Sequence, residues 1–493
     1  GVEFWPTRWN SYWRIFRETV LSTGVLIRSI SRQVPDRLSS DNQLIRGIRS
    51  RAVHAGEGPE AGSRASAPSI TMSSTFVIDR PVSFSAQDKP DDSPYVYSRW
   101  DNPTVTVLQD KLASLEEAEA CRCFASGMAA TSALLLSTLG PGDRLVISDA
   151  LYPGTAEFAR VTLTRLGVEV VSANLSDLDS AEQAIVPGTR LVWGETPANP
   201  TLRMTDIAGV ADIAHARGAE LAVDSTFATP IATRPVTLGA DYVVHSLTKY
   251  CCGHGDAMGG AVIGRRETLR SIESDGQIYM GGVISPFNAW LINRGLATLP
   301  VRMQAHEANA FVLARFLESH PRVIRVLYPG LDTHPHHALA SQQMENYSGM
   351  VSVQVADGPE LAIKMMRQLK VFHYAVSLGH HRSLIYWLGT DDLMTSSYKL
   401  HGEQLDVMQG SKVIEVRPRG VHKGGVVEQV LLKVGDPKRI IAIGDDRTDE
   451  EMFAAVPTEG VTIHVGPSPS CATYQVADNV EVRKLIKGLL PTS

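Results

Sequence analysis

DYVVHSLTKY, residues 241–250, is an apolar, β-branched run that ends in a lysine with hydroxyl residues beside it. A run of that length bounded by small polar residues reads as a strand buried on both faces, its carboxyl end opening into a turn. Working outward, AELAVDST (219–226), RLVWGETP (190–197), VEVVSANL (168–175) and RLVISD (144–149) repeat the pattern, with amphipathic stretches such as 179–186 and 205–217 between them. Five such runs alternating with helical patterns predict parallel βαβ units and a doubly wound α/β domain. Ligands gather at the carboxyl ends of the strands in such sheets, which singles out Glu195, Asp224 and Lys249.

The chain has 493 residues, enough for two to four domains at roughly 100–200 residues each. Lys plus Arg number 47 against 53 Asp plus Glu, with the basic residues scattered, so neither a nucleic-acid stripe nor an anionic-membrane patch is expected. No apolar run approaches the roughly 18 residues of a membrane span, and small-molecule chemistry becomes the default. Five cysteines without a CxxC pair fit a reducing, cytoplasmic setting better than a disulfide framework. Residues 1–47 are Arg-rich and free of lysine, and read as a poorly ordered extension, with an organelle transit peptide as the alternative.

Residues 48–300 form the expected large domain and 301–405 a smaller α+β domain, with a helix over 304–319 and strands near 322–328, 349–356 and 370–377. At about 406 the pattern restarts, with strands at 412–418 and 439–444 and helices at 424–433 and 448–456. Thr448 and Glu451 would form a capping box for the last of these.

Lys249 sits at a strand end beside Ser246 and Thr248, with Asp224 ending the preceding strand. A lysine there can form a Schiff base, and a nearby acid can keep a pyridine nitrogen protonated so that an aldehyde cofactor's ring acts as an electron sink. Taken alone, the pair also fits an ordinary strand-end ion pair. SGMAA (126–130) opens a helix whose free amides suit a phosphate, although small residues also simply start helices. ALYPGT (150–155) offers Tyr152 for stacking on a flat ring, or for rim packing. YSRWDNPT (97–104) supplies Tyr97 and Arg99, a hydroxyl and a guanidinium two residues apart that suit a phosphate dianion. ETPANP (195–200) adds Asn199. GHGDAMGG (253–260) lacks the third glycine of a dinucleotide fingerprint, since Met258 stands there.

In this order, these motifs and AVSLG (375–379) resemble the Cys/Met-metabolism family of pyridoxal-phosphate enzymes, over about residues 50–405. The resemblance implies an aspartate-aminotransferase-like (fold type I) large domain. It also implies that Lys249 holds the cofactor, Asp224 contacts its ring nitrogen, and Tyr152 stacks on the ring and assists acid–base steps. Ser126, Gly127, Met128, Ser246 and Thr248 would hold the phosphate, and Asn199 would touch a cofactor oxygen or the substrate. Tyr97 and Arg99 would reach a neighbouring subunit's phosphate, which implies a homodimer or homotetramer. Ser377 would lie by the substrate carboxylate.

The chain departs from the family in three places. The pattern R-x-S-x-G-x-E, whose arginine clamps the substrate carboxylate, is absent after GEQL (402–405). Arg382 stands in SLGHHRSLI (377–385) where several members have glutamate, and would favour a distal carboxylate. Gly154 occupies the place of the reactive cysteine of methionine γ-lyases, and both features argue against that enzyme. From 406 the text resembles the tail of a trehalose-phosphate phosphatase of the haloacid-dehalogenase class. There GDDRTDE (444–450) offers Asp445 and Asp446 for Mg²⁺ and Lys423 resembles a phosphate-neutralising lysine, unless the run is a solvated acidic helix start. The D-x-D-x-T nucleophile of that class is missing, and DLDS (177–180) reads as a helix cap.

The expected function is β- or γ-elimination, or γ-replacement, on cystathionine, an O-acylhomoserine or a related sulfur amino acid. The alternatives are a weakened chain that still binds pyridoxal phosphate, and a Mg²⁺-dependent sugar phosphatase run from the C-terminal segment.

Overall fold

A computed structural model describes residues 47–388, apart from 60–63, 83–84, 88, 91–92 and 356–357, and then 405–409, 414–418, 427, 441–444 and 449–485, apart from 468, 479 and 483. The extension expected over 1–47 lies outside the described residues except for Gly47. Helix α1 (Ile48–His54) leads to an arm whose Thr75 bridges Tyr97. Helix α2 (Pro103–Glu116) starts where Asn102 accepts from the Thr104 N–H at 2.9 Å, with Pro103 in the first turn, where its missing N–H is harmless.

The large sheet is built from β1 (Ala120–Phe124), β2 (Arg144–Ser148), β3 (Glu169–Ala173), β4 (Thr189–Glu195), β5 (Glu220–Asp224), β6 (Tyr242–His245) and β7 (Gly260–Gly264). Helices α3 (Gly127–Thr138), α4 (Leu178–Ala184) and α5 (Ile207–Ala216) lie among them in the chain. The order across the sheet is β1-β7-β6-β5-β4-β2-β3. The five expected strands are present, each ending short of the run that predicts it. The sheet is mixed rather than wholly parallel, because β7 runs antiparallel to both its neighbours.

Alternation along the strands sorts the core into layers. Leu145, Ile147, Leu191, Trp193, Ala222, Val244 and Val262 pack with Ala130, Leu134 and Leu135 of α3. Their neighbours Val146, Val192, Leu221 and Val223 pack with Ala181 of α4 and Ile207, Val210 and Ala214 of α5. Full burial of each large side chain contributes about 1.5–3 kcal/mol, so a slip of one residue would be strongly disfavoured. By this alternation Glu195 shares the face of Trp193, and Asp224 that of Ala222. Both therefore stand at the carboxyl edge on the side that α3 covers.

Helices α6 (Pro286–Leu296) and α7 (Leu299–Glu318) follow, then β8 (Val323–Leu327), α8 (His337–Gln343), β9 (Ser352–Val355), α9 (Gly358–Gln368), β10 (His373–Tyr374) and β11 (Leu384–Ile385). The expected strands divide into an antiparallel pair, β8–β9, and a parallel pair, β10–β11. Beyond them β12 (Leu405–Gln409) pairs antiparallel with β13 (Ile414–Pro418). Then β14 (Ile441–Gly444), β15 (Val461–Val465) and β16 (Tyr474–Val476) form a parallel sheet, with α10 (Asp449–Ala455) following β14. The helix expected at 424–433 and the capping residue Thr448 lie outside the described residues, Val427 excepted. Among the described residues, no helix is long and apolar enough to cross a membrane.

Candidate active site

Lys249 lies in the turn after β6, its N–H donating to the Ser246 carbonyl at 3.1 Å and its carbonyl accepting from the Gly253 N–H at 2.8 Å. The turn is buttressed from behind by Arg302 of α7, which donates to the carbonyls of Tyr250 at 2.7 Å and Gly295 at 2.8 Å. The Lys249 side chain is half-buried, no described residue forms an ion pair with it, and burial lowers its pKa below the usual lysine range. Such an amine is neutral, and so nucleophilic, at a lower pH than a solvated lysine.

Asp224 stands beside Val244 in the β5–β6 register and accepts from the Thr226 N–H at 3.0 Å. Burial raises its pKa, and the Thr226 hydrogen bonds oppose that rise. The Thr226 hydroxyl also accepts from the Ser246 N–H at 2.8 Å, tying the Asp224 strand end to the Lys249 turn. The ordinary ion pair considered for Lys249 and Asp224 is not formed.

Ser126 caps α3 by accepting from the Ala129 N–H at 3.1 Å. Among the described residues nothing accepts from the amides of Gly127 or Met128, as expected in the first turn of a helix. A Cβ on Gly127 would fall 2.8 Å from the Cβ of Ser246, so the missing side chain lets the α3 N-terminus meet the turn after β6. Thr248 Oγ1 accepts from the Gly259 N–H at 3.1 Å, leaving Ser246 and Thr248 on one short turn beside that helix end.

Tyr152 is exposed, and its ring lies where a Cβ on Gly154 would be 2.5 Å from Cε1 and 3.3 Å from the Met128 Sδ. Its backbone N–H donates to Glu195 Oε2 at 2.5 Å, and the Asn199 N–H donates to Glu195 Oε1 at 2.8 Å. Ser377 is half-buried, and Gly379, two residues on, packs so closely that a Cβ would be 2.4 Å from the Tyr250 nitrogen. Arg382 is exposed on the same segment, and His380 packs against Gly255.

Tyr97 and Arg99 lie side by side on the arm before α2. Arg99 donates to the Ile278 carbonyl at 2.5 Å and lies over the Tyr97 ring, and the two line a hollow of about 210 Å³ with Ser74, Ser98, Val283, Ile284 and Pro286. No hydrogen bond or ion pair among the described residues joins them to Lys249, Asp224 or Tyr152. Asp445, Asp446 and Lys423 lie outside the described residues.

The sequence profile of the Cys/Met metabolism PLP-dependent enzyme family matches residues 49–400. The chain belongs to that family. It is 43% identical over 344 residues to a cystathionine gamma-synthase of Mycobacterium tuberculosis, covering 70% of this chain and 87% of the relative. It is 40% identical over 339 residues to an L-methionine gamma-lyase of Pseudomonas putida, covering 69% and 85%. The solved structure of a cystathionine gamma synthase from Xanthomonas oryzae pv. oryzae, in complex with aminoacrylate and cysteine, superposes with a TM-score of 0.66 at 34% identity, covering 72% of this chain and 89% of that one. The trehalose-phosphatase profile matches residues 390–483.

Pyridoxal phosphate, the cofactor of this PLP-dependent family, fits the residues present. A half-buried lysine without an ion-pair partner, a buried carboxylate on the neighbouring strand and a cradle that a Cβ at Gly127 would fill are the features such a group requires. The sequence pattern gives no role to Thr226 or Arg302, and marks Glu195 only as a residue at a strand's carboxyl end. Thr226 sits inside AELAVDST and Glu195 inside ETPANP, but their bonds to distant backbone leave no trace in residue type.

Proposed function

We propose that the chain catalyses β- or γ-elimination, or γ-replacement, on cystathionine, an O-acylhomoserine or a related sulfur amino acid. The observation that carries this is the Lys249 amine, its pKa lowered by burial, one strand away from a buried carboxylate with which it forms no ion pair. Pyridoxal phosphate, when bound, supplies an aldehyde for an amine and a ring that delocalises the electrons left at Cα. Lys249 would hold that group, and its amine, when free, would accept the Cα proton. Asp224 keeps the ring nitrogen charged, and Tyr152 stacks on the ring and moves protons at its edge. Ser126, Gly127, Met128, Ser246 and Thr248 hold the phosphate, and Asn199 touches the cofactor oxygen or the substrate. Ser377 lies by the substrate carboxylate, while Arg382 suits an anionic distal end, as in cystathionine or an O-succinyl ester.

Tyr97 and Arg99 complete the phosphate site of a neighbouring copy, so the working unit is a homodimer or homotetramer in the cytoplasm. The C-terminal segment supplies at most a Mg²⁺ site at Asp445 and Asp446, since no D-x-D-x-T nucleophile accompanies it. Loss of the family's terminal arginine favours weak turnover with normal cofactor binding. A substrate panel on the cofactor-loaded chain tests the proposal, reading 2-oxo acid release and cystathionine formation. Activity on none of these amino acids would refute it.

A further inference from the structure

Glu195 ends β4 with 5% of its surface exposed, and its carboxylate is divided between two turns that follow different strands. Oε2 accepts from the N–H of Tyr152, beyond β2, and Oε1 accepts from the N–H of Asn199, beyond β4. Its register partner on β5 is Asp224, and no described residue forms an ion pair with it. An acid held so deeply without a cation is unfavourable unless its oxygens are otherwise satisfied, and here the two amides satisfy them. Burial, then the Asp224 charge, push Glu195 well above the usual carboxylate range, and the two amides pull the other way. The Thr205 hydroxyl donates to the Glu195 carbonyl at 3.4 Å, and the Thr196 N–H donates to the Asp224 carbonyl at 3.2 Å, so the backbone around the carboxylate is itself fixed.

We propose that Glu195 is a positioning residue, a two-pronged clamp whose carboxylate holds the Tyr152 turn and the Asn199 turn in one fixed relation to Asp224. The clamp stands on this chain's geometry alone. Its bearing on the reaction rests on the function proposed above.

Glu195→Gln tests it sharply, because an amide offers one acceptor and one donor, leaving one of the two backbone N–H groups facing another donor. Hydrogen–deuterium exchange of the full chain without cofactor is followed at peptides spanning 150–157 and 196–203. The expected result is exchange about 10–100-fold faster in one or both peptides of the variant, as for a buried N–H left without its acceptor, with 242–264 unchanged. Unchanged rates at both peptides, or wild-type rates there equal to those of exposed chain, would overturn the clamp. Should the glutamine variant not fold, Glu195→Asp keeps the charge but is one methylene too short to reach both turns, and the same criterion applies. In the cofactor-loaded protein, a loosened Tyr152 turn lowers kcat more than it raises KM and weakens the induced visible dichroism, whereas a merely structural role would lower Tm alone. If the wild-type chain takes up no cofactor, the proposed function fails and the exchange experiment still decides the clamp.

Discussion

Gly154 shows how finely the Tyr152 ring is placed. A methyl group there meets the Tyr152 ring at 2.5 Å, and because that ring is exposed it can swing away without disturbing the core. Gly154→Ala should therefore leave Tm within about 2 °C of wild type, since the strain is relieved at the surface. Turnover should fall on the order of tenfold to a hundredfold, as misplacement of about an ångström does, and steady-state kinetics beside a thermal melt check both parts. Lys249 and Asp224 are legible in the sequence because each ends a run that only a buried strand explains. The Glu195 bonds are not legible, since both partners are backbone amides brought close by the fold.

Among the elements, β7 is the one the sequence conceals. Its glycines, Gly260 and Gly264, dilute the β-branched signal, and the preceding GHGDAM run reads as loop. The fold needs the first of them, because a Cβ on Gly260 would lie 2.1 Å from the Ser126 carbonyl oxygen, part of the backbone that starts α3. Gly260→Ala cannot be relieved by a side-chain rotation. It should destabilise the protein by about 1–3 kcal/mol, as overpacking does, and weaken cofactor retention through the displaced α3 N-terminus, which denaturant melts and cofactor dialysis would measure. The strands β2 and β4 to β6 are readable because both faces are apolar, β3 is a partly exposed edge strand, and α8, seven residues long, is too short to show a period. Arg302 acts at the same scale, joining α7 to the lysine turn through carbonyls alone. Arg302→Met should cost about 1.5–3 kcal/mol of stability, read from a denaturant midpoint.

For the molecule as a whole, acid stability carries a signature of His334, which is buried and held down to a pKa of about 4 by burial and by neighbouring His336. Below its ordinary value of 6.5 the unfolded chain takes up a proton that the folded one refuses until about pH 4. Stability should thus fall as pH drops through that window, by on the order of 3 kcal/mol. His334→Asn, which can still accept from the His336 N–H, should flatten this limb of the pH–stability curve. The D-x-D-x-T nucleophile of the phosphatase class is missing, and no Mg²⁺-dependent release of phosphate from trehalose phosphate is expected. Phosphate release abolished by Asp445→Ala would contradict that expectation. The most direct test is to load the purified chain with pyridoxal phosphate, reduce it with borohydride and map the modified peptide. The expected result is a single pyridoxyl group on Lys249 and no reducible chromophore in Lys249→Ala; modification of another lysine, or an unchanged chromophore in that variant, would contradict it.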